Sequence, residues 1–518
     1  MSAVVYARLR VTDPGRWWAA ALSWRRWAAV AGVLAAEFEP LAAGLRAIWS
    51  GPTATAAGSR LRGLRRRLTL FRLFCWRADQ ALSEFAAALD RARALLDRAR
   101  TRAEAAGLII DDTGTVRSRS PESADSASAT TAGSVSAAAG LAAADLAAAL
   151  TVAADADESA AARLHELSPE AAAPHRAGRP GCTASPAEVR RWWAGLTPAE
   201  RNWLLVTEPG PLGSTDGIPI ADRDLANRLL LPDHRAGTAD RGLRDGLDEL
   251  DARLGDDTGR RAYLVGLDVA GEGRAVVALG DPDRSRSVLT HVPGMTSGLA
   301  SIGGELTRAG RVADRAAELG PASAASAVLW LDYDAPDFLD EAFSDRQAIA
   351  GAAGLRRFQE GLRVTHEGPA AVQTVLGHSY GSLVVGEAAT GPLEADRLVF
   401  VGSPGVGVRS AEQLSVPADQ VWSSTSRTDV IQYAALAPAG LARDLAISGA
   451  VPVVGPAFAF GRPERDLWFG TNPSDPAFGG RVFASQPEAG HLGYWEPGRP
   501  ALDALATLAL GDTPVEGR

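Results

Sequence analysis

The sequence predicts an N-terminal all-α hairpin domain followed by a doubly wound, mostly parallel α/β sheet. Two observations carry this reading. The first hundred or so residues repeat apolar side chains every three to four positions, whereas residues beyond about 260 alternate short apolar runs with helix-like runs. Between these regions, residues 111–140 are rich in Ser, Thr, Ala and Gly, the composition of a flexible linker. The resulting division is a helical hairpin domain at 1–110, a Ser/Ala-rich linker containing a helix at 111–185, and an α/β domain at 186–518.

In the first part, Trp17, Leu22, Trp27, Val30, Leu34, Phe38, Leu41 and Leu45 recur at helical spacing and predict a helix over 13–48. Trp49, Ser50, Gly51 and Pro52 interrupt it. Periodicity resumes over 53–106 through Leu61, Leu64, Leu68, Phe71, Leu82, Phe85 and Leu89, so two long helices fold back as a hairpin. Residues 60–67 hold a local basic run, ordinarily a solvated face, with a nucleic-acid or acidic-lipid patch as the alternative. An alanine-rich helix is expected over 141–166, followed by a Pro/Gly break over 168–185.

In the second part, strands are expected at 262–269, 275–279, 287–292 and 327–333, with helices near 298–319 and 346–362. The apolar run 372–376 then leads into Gly377-His378-Ser379-Tyr380-Gly381, and a helix-like run follows from Gly381 to Thr390. A buried strand, a sharp turn made possible by small glycines, and a helix starting directly beneath a serine form the nucleophile elbow of an α/β-hydrolase. Ser379 is therefore the candidate nucleophile. His378 is expected to shape the elbow or its pocket.

A serine nucleophile needs a base, and in this fold the order is serine, acid, histidine. Of the seven histidines only His491 follows Ser379, in a loop just past an expected last strand at 482–485. The acid must lie between them. Asp429 directly follows an expected strand at 421–426, at the edge where α/β sheets build their sites. Asp475, in a proline-flanked turn, is the alternative. Donors for a developing oxyanion are expected from the backbone N–H of Tyr380 and, in the loop after 287–292, of Met295, with Gly294 allowing close approach. The apolar stretch 431–466 falls between acid and base and is expected to form a loop or lid.

The region from about Trp192 onward resembles the actinobacterial α/β-hydrolase family catalogued as DUF1023. The resemblance rests on Trp192-Trp193-Ala194-Gly195-Leu196-Thr197, on Asp216-Gly217-Ile218-Pro219 with Arg223-Asp224-Leu225-Ala226-Asn227, on Val292-Pro293-Gly294-Met295, on the elbow and on Gly470-Thr471-Asn472-Pro473. It implies a serine hydrolase fold and supports the Ser379, Asp429, His491 triad, without naming a substrate. The Trp-x-Gly at the hairpin break also resembles the turn of WXG100-type helical hairpins, proteins associated with type VII secretion, although the Tyr-x-x-x-Asp/Glu tail is absent.

The net charge of −9 excludes a global attraction to nucleic acid or anionic membrane. The 53 basic residues are all arginine, and Cys75 and Cys182 are too few for a disulfide framework or a zinc site. No metal or cofactor, no secretory leader and no run of membrane-span length are expected. A cytoplasmic location follows, with export lacking a cleavable signal as the alternative. The expected activity is cleavage of a small-molecule ester with a hydrophobic part, and the hairpin is expected to bind a helical partner or self-associate. The competing class is an inactive α/β-hydrolase-fold protein serving binding or type VII secretion.

Overall fold

The computed structural model describes residues 3–118, 129–167, 178–256, 260–337, 339–431 and 466–516. The chain forms two compact units, residues 1–175 with 197–207, and residues 176–196 with 208–518.

The first unit contains α1 (Ala3–Val11), α2 (Pro14–Ile48) and α3 (Pro52–Ala105), then a small antiparallel hairpin of β1 (Leu108–Ile110) and β2 (Val116–Ser118), and α4 (Ala129–His165). Asp13 caps α2 by accepting from Gly15 N–H. The break between α2 and α3 falls where the sequence places it: Gly51 adopts φ of 105° and Pro52 occupies the first helical turn, where a missing N–H costs nothing. The pairs Arg25–Asp79 and Trp18–Asp90 run in opposite senses along the two helices and define them as antiparallel.

Two expectations for this region are corrected. Residues 108–118 form a β-hairpin and α4 begins at Ala129, so much of the stretch read as linker is ordered secondary structure. Its alanines are strong helix formers, and Leu146, Ala149, Leu150 and Ala153 bury a stripe against Phe85, Leu89, Leu95 and Leu96 of α3. The pairs Arg102–Asp145 and Arg163–Glu84 fasten the two ends of this contact. Moreover, the 33-residue helical stretch Gly133–His165 contains an 18-residue window of mean hydropathy 1.7 and is long and apolar enough to cross a membrane by length and composition. The expectation that no run reaches that length overlooked how far alanine alone raises hydropathy.

The second unit opens with α5 (Pro186–Gly195); the intervening α6 (Pro198–Thr207) belongs to the first unit. Then come α7 (Pro209–Gly213), α8 (Ile220–Gly237), α9 (Arg241–Gly255), β3 (Ala262–Asp268), β4 (Arg274–Leu279), β5 (Ser287–Val292), α10 (Ile302–Leu319), β6 (Ala325–Leu331), α11 (Leu339–Ala342), α12 (Arg346–Thr365) and β7 (Val372–His378). The chain continues through α13 (Gly381–Ala389), β8 (Arg397–Val401), β9 (Val421–Ser424), a hairpin of β10 (Asp466–Leu467) and β11 (Gly470–Thr471), β12 (Arg481–Val482) and α14 (Pro500–Ala509).

Eight strands form one sheet in the order β12-β9-β8-β7-β5-β6-β4-β3. All pairings from β12 to β6 are parallel, and β4 pairs antiparallel with both β6 and β3. The sheet is thus the doubly wound, mostly parallel one expected. Side chains alternate cleanly between its faces, as the two-residue period of a strand requires. Val288, Val328, Trp330, Val375, Leu398 and Phe400 pack with α12 and α13 on one face. On the other, Leu264, Val277 and Leu329 meet α9 and α10, while Leu376, Val399 and Trp422 meet α14. Sheathing on both faces leaves the carboxyl ends of β5, β7, β8, β9 and β12 as the edge where polar groups can converge. Of the stretch 431–466 expected to form a lid, residues 432–465 lie outside the described residues.

Candidate active site

Among the described residues, only Ser379 (φ 53°) and Thr296 (φ 61°) are non-glycine residues with positive φ. A left-handed backbone at such residues costs about 1–2 kcal/mol, so both turns are held by their surroundings. Ser379 follows β7 directly, and its N–H donates to Val401 O at the end of β8 (3.0 Å). The flanking glycines are steric necessities: a Cβ on Gly377 would lie 2.6 Å from Ser382 Cα, and one on Gly381 would lie 2.2 Å from Val292 O. The tight turn leaves the Ser379 side chain at the carboxyl edge of the sheet and 8% exposed.

Thr296 belongs to the loop after β5. This loop lies against the serine, since a Cβ on Gly294 would meet Ser379 Cβ at 2.6 Å and Ser379 Oγ at 3.1 Å. Tyr333 OH donates to Pro293 O (2.6 Å) and Thr296 N–H donates to Pro336 O (2.9 Å), fixing the loop from the side of β6. Among the described residues, neither Met295 N–H nor Tyr380 N–H has a hydrogen-bond partner. Both expected oxyanion donors therefore belong to segments that adjoin Ser379 and keep their hydrogens unspent.

Asp429 follows β9 and is fully buried, and His491 follows β12. His491 Nδ1 lies 2.8 Å from Asp429 Oδ1. A carboxylate only accepts, so Nδ1 carries the hydrogen, and in the neutral imidazole Nε2 keeps its lone pair. The two loops are stitched together: Thr428 N–H and Oγ1 both donate to Pro487 O, Ser426 Oγ donates to the same carbonyl, and Gly490 N–H donates to Thr428 Oγ1. Asp429 also accepts from Ile431 N–H (3.0 Å) and Tyr494 OH (2.6 Å). Burial raises its pKa, but the hydrogen bond and charge of His491, together with Tyr494 and Ile431, outweigh that and hold it below the ordinary carboxylate value.

His378 is not placed to act as a base. Its Nε2–H donates to the backbone carbonyl of His491 (3.0 Å), and burial, with His491 acting in the same direction, pushes its pKa down to about 3. Trp495 packs edge-on against both His378 and His291, at ring separations of 4.8 and 5.5 Å. His291 in turn pairs with Glu305 of α10, which also binds Arg308. Although burial raises the Glu305 pKa, its bond to His291 and the charges of His291 and Arg308 lower it to about 2. The site thus rests on a buried ionic floor.

The structure brings His491 and Asp429 into direct contact and sets the Gly294–Met295 segment against Ser379; Ser379 and His491 are not hydrogen-bonded to each other. Asp475, the alternative acid, caps the short turn Pro476–Phe478 by accepting from Ala477 N–H (2.7 Å). Sequence reasoning missed Tyr494, Trp495 and Tyr333. The first two lie three and four positions after His491 in an aromatic pair, a signal within reach. Tyr333 had none, because its partner is a backbone carbonyl.

Residues 268–438 match the family described as Alpha/beta hydrolase (Abhydrolase_8), a stretch that includes Ser379 and Asp429 and ends before His491. This part of the chain is an α/β-hydrolase domain. The chain is 30% identical over 391 residues to the uncharacterized protein Rv2079 of Mycobacterium tuberculosis, covering 64% of this chain and 56% of that protein. It is also 35% identical over 163 residues to the uncharacterized protein Mb0988c of Mycobacterium bovis, covering 30% of this chain and 61% of the relative. The chain thus spans little more than half the length of these relatives. No solved structure matches it.

Proposed function

We propose that this protein is a serine hydrolase that cleaves an ester with a hydrophobic portion through an acyl-enzyme. The observation that carries the reading is the pairing of a strained serine at the end of β7 with a His491–Asp429 hydrogen bond delivered from the ends of β12 and β9. Ser379 Oγ attacks the ester carbonyl as His491 Nε2 takes its proton, and buried Asp429 stabilises the imidazolium. A hydrogen bond between Ser379 Oγ and His491 Nε2 forms when substrate binds. Met295 N–H and Tyr380 N–H receive the negative charge that develops on the carbonyl oxygen. Collapse of the tetrahedral intermediate breaks the ester bond, and His491 returns the proton to the departing alcohol. Water, deprotonated by His491, then releases the acid and restores Ser379.

Apolar side chains leading away from Ser379 support the hydrophobic portion. Tyr380 meets Phe469 at 6.1 Å, Phe469 meets Trp468 at 6.4 Å, and Trp468 meets the exposed Phe343 at 4.1 Å. Such a row rewards acyl length at roughly 0.8 kcal/mol per buried methylene.

Turnover of p-nitrophenyl esters of increasing acyl length tests the proposal. We expect kcat/KM to rise from acetate to medium chains, and His491→Ala to lose about a thousandfold or more. A His491→Ala protein that keeps most of its turnover contradicts it.

A further inference from the structure

We propose that the α2–α3 hairpin of the first unit is a docking surface for an anionic lipid bilayer. Two independent features meet there. The first is charge: from Pro40 to Arg72 the chain carries seven arginines and neither Asp nor Glu, in a protein whose net charge is −9. Arg60, Arg62 and Arg67 of this run are exposed on α3. The second is apolar exposure. Trp27, Leu34, Leu41 and Ile48 recur every seven residues along α2 and are 57%, 43%, 58% and 85% exposed. At 3.6 residues per turn, this spacing keeps them on one side of the helix. Trp49, at the hairpin break, and Trp24 extend the stripe.

Each feature alone is ordinary, and their combination selects the partner. A basic segment without apolar neighbours would suit any polyanion, and an apolar stripe flanked by both signs of charge would suit another helix. Glu37 is exposed between Leu34 and Leu41, so the combination belongs to the hairpin tip: from Pro40 to Arg72, exposed Leu41, Ile48 and Trp49 have arginine as the sole charge, the composition of a segment lying in a bilayer interface. There the apolar side chains enter the acyl boundary and the guanidinium groups meet lipid phosphates. The surface belongs wholly to the first unit and does not depend on the proposed hydrolase chemistry.

The test is flotation of the full chain with vesicles of phosphatidylcholine alone and of phosphatidylcholine with roughly one quarter phosphatidylglycerol, at low and high salt. Binding is expected only to the anionic vesicles and is expected to weaken with salt. Substituting Arg60→Gln, Arg62→Gln and Arg67→Gln together should weaken it by roughly fivefold per arginine. Leu41→Ser with Ile48→Ser, which leaves the charge intact, should weaken it on the order of tenfold per residue. Circular dichroism should stay unchanged for both variants, whose substituted side chains lie on the exposed surface. Equal binding to neutral vesicles, or anionic binding that either variant leaves intact, overturns the proposal. So does an absence of vesicle binding accompanied by salt-sensitive binding to a duplex oligonucleotide, or by self-association that Leu41→Ser and Ile48→Ser abolish.

Discussion

Tyr494 OH donates to Asp429 Oδ2 at 2.6 Å while accepting from Ser426 N–H at 2.9 Å, so one phenol ties the carboxylate to the strand end that delivers it. Asp429 then has one oxygen held by Tyr494 and the other shared by His491 Nδ1 and Ile431 N–H. A carboxylate so restrained presents one fixed face to the imidazole. Tyr494 is therefore a positioning residue that acts through Asp429.

Tyr494→Phe should lower kcat on the order of tenfold with KM nearly unchanged, because the lost hydrogen bond orients His491 without binding substrate. In an Asp429→Asn background the same substitution should add almost nothing, since the group through which it acts is already disabled. Steady-state kinetics on the two single variants and the double variant decide this. An additive loss would mean that Tyr494 acts by another route.

Asp429→Asn should cost about a thousandfold or more in kcat, because a neutral amide cannot stabilise imidazolium and can hold His491 in the wrong tautomer. Asp475→Asn should be mild, since that side chain caps a surface turn and asparagine caps equally well. Kinetics with a circular-dichroism check of folding separate the two.

His378 sets a pH limit on stability. Its folded-state pKa of about 3 lies below the ordinary 6.5, so the unfolded chain binds the proton more readily. Stability is then complete above about pH 6.5 and declines as pH falls from there towards 3, by on the order of 3 kcal/mol at pH 4 from this group. A His378→Asn variant should show a flatter decline over this window in denaturant titrations. A parallel decline in both proteins would remove His378 as its source.

Gly294→Ala should abolish ester turnover while leaving most of the fold intact. The added Cβ would fall 2.6 Å from Ser379 Cβ, and the loop carrying Met295 N–H must withdraw to relieve the clash. The readout is turnover together with thermal unfolding. Full activity in this variant would mean that the loop after β5 takes no part in the reaction.

Most of the second unit was legible in the sequence because its strands are buried runs bounded by glycine and proline. The strands at 287–292, 372–378 and 397–401 fall where apolar β-branched residues cluster. The same logic expected Asp429 and His491 in loops that follow strands, and the structure has them in the loops after β9 and β12, with Ser379 directly after β7. The first unit was harder to read. Serine and alanine over 133–140 look like a linker by composition and become helix because a leucine stripe further along α4 packs on α3, a tertiary contact that no local pattern reports. Tyr333 and Glu305 were hidden for a related reason: their partners, Pro293 and His291, come from other strands and loops.

The central claim, that Ser379 is the nucleophile of a working serine hydrolase, is tested most directly by covalent labelling with a fluorophosphonate followed by peptide mass mapping. A single adduct on Ser379 is predicted, formed rapidly in the wild type, absent in Ser379→Ala, and slowed about a thousandfold or more in His491→Ala. An adduct on another residue, or equal labelling of the wild type and Ser379→Ala, would contradict it.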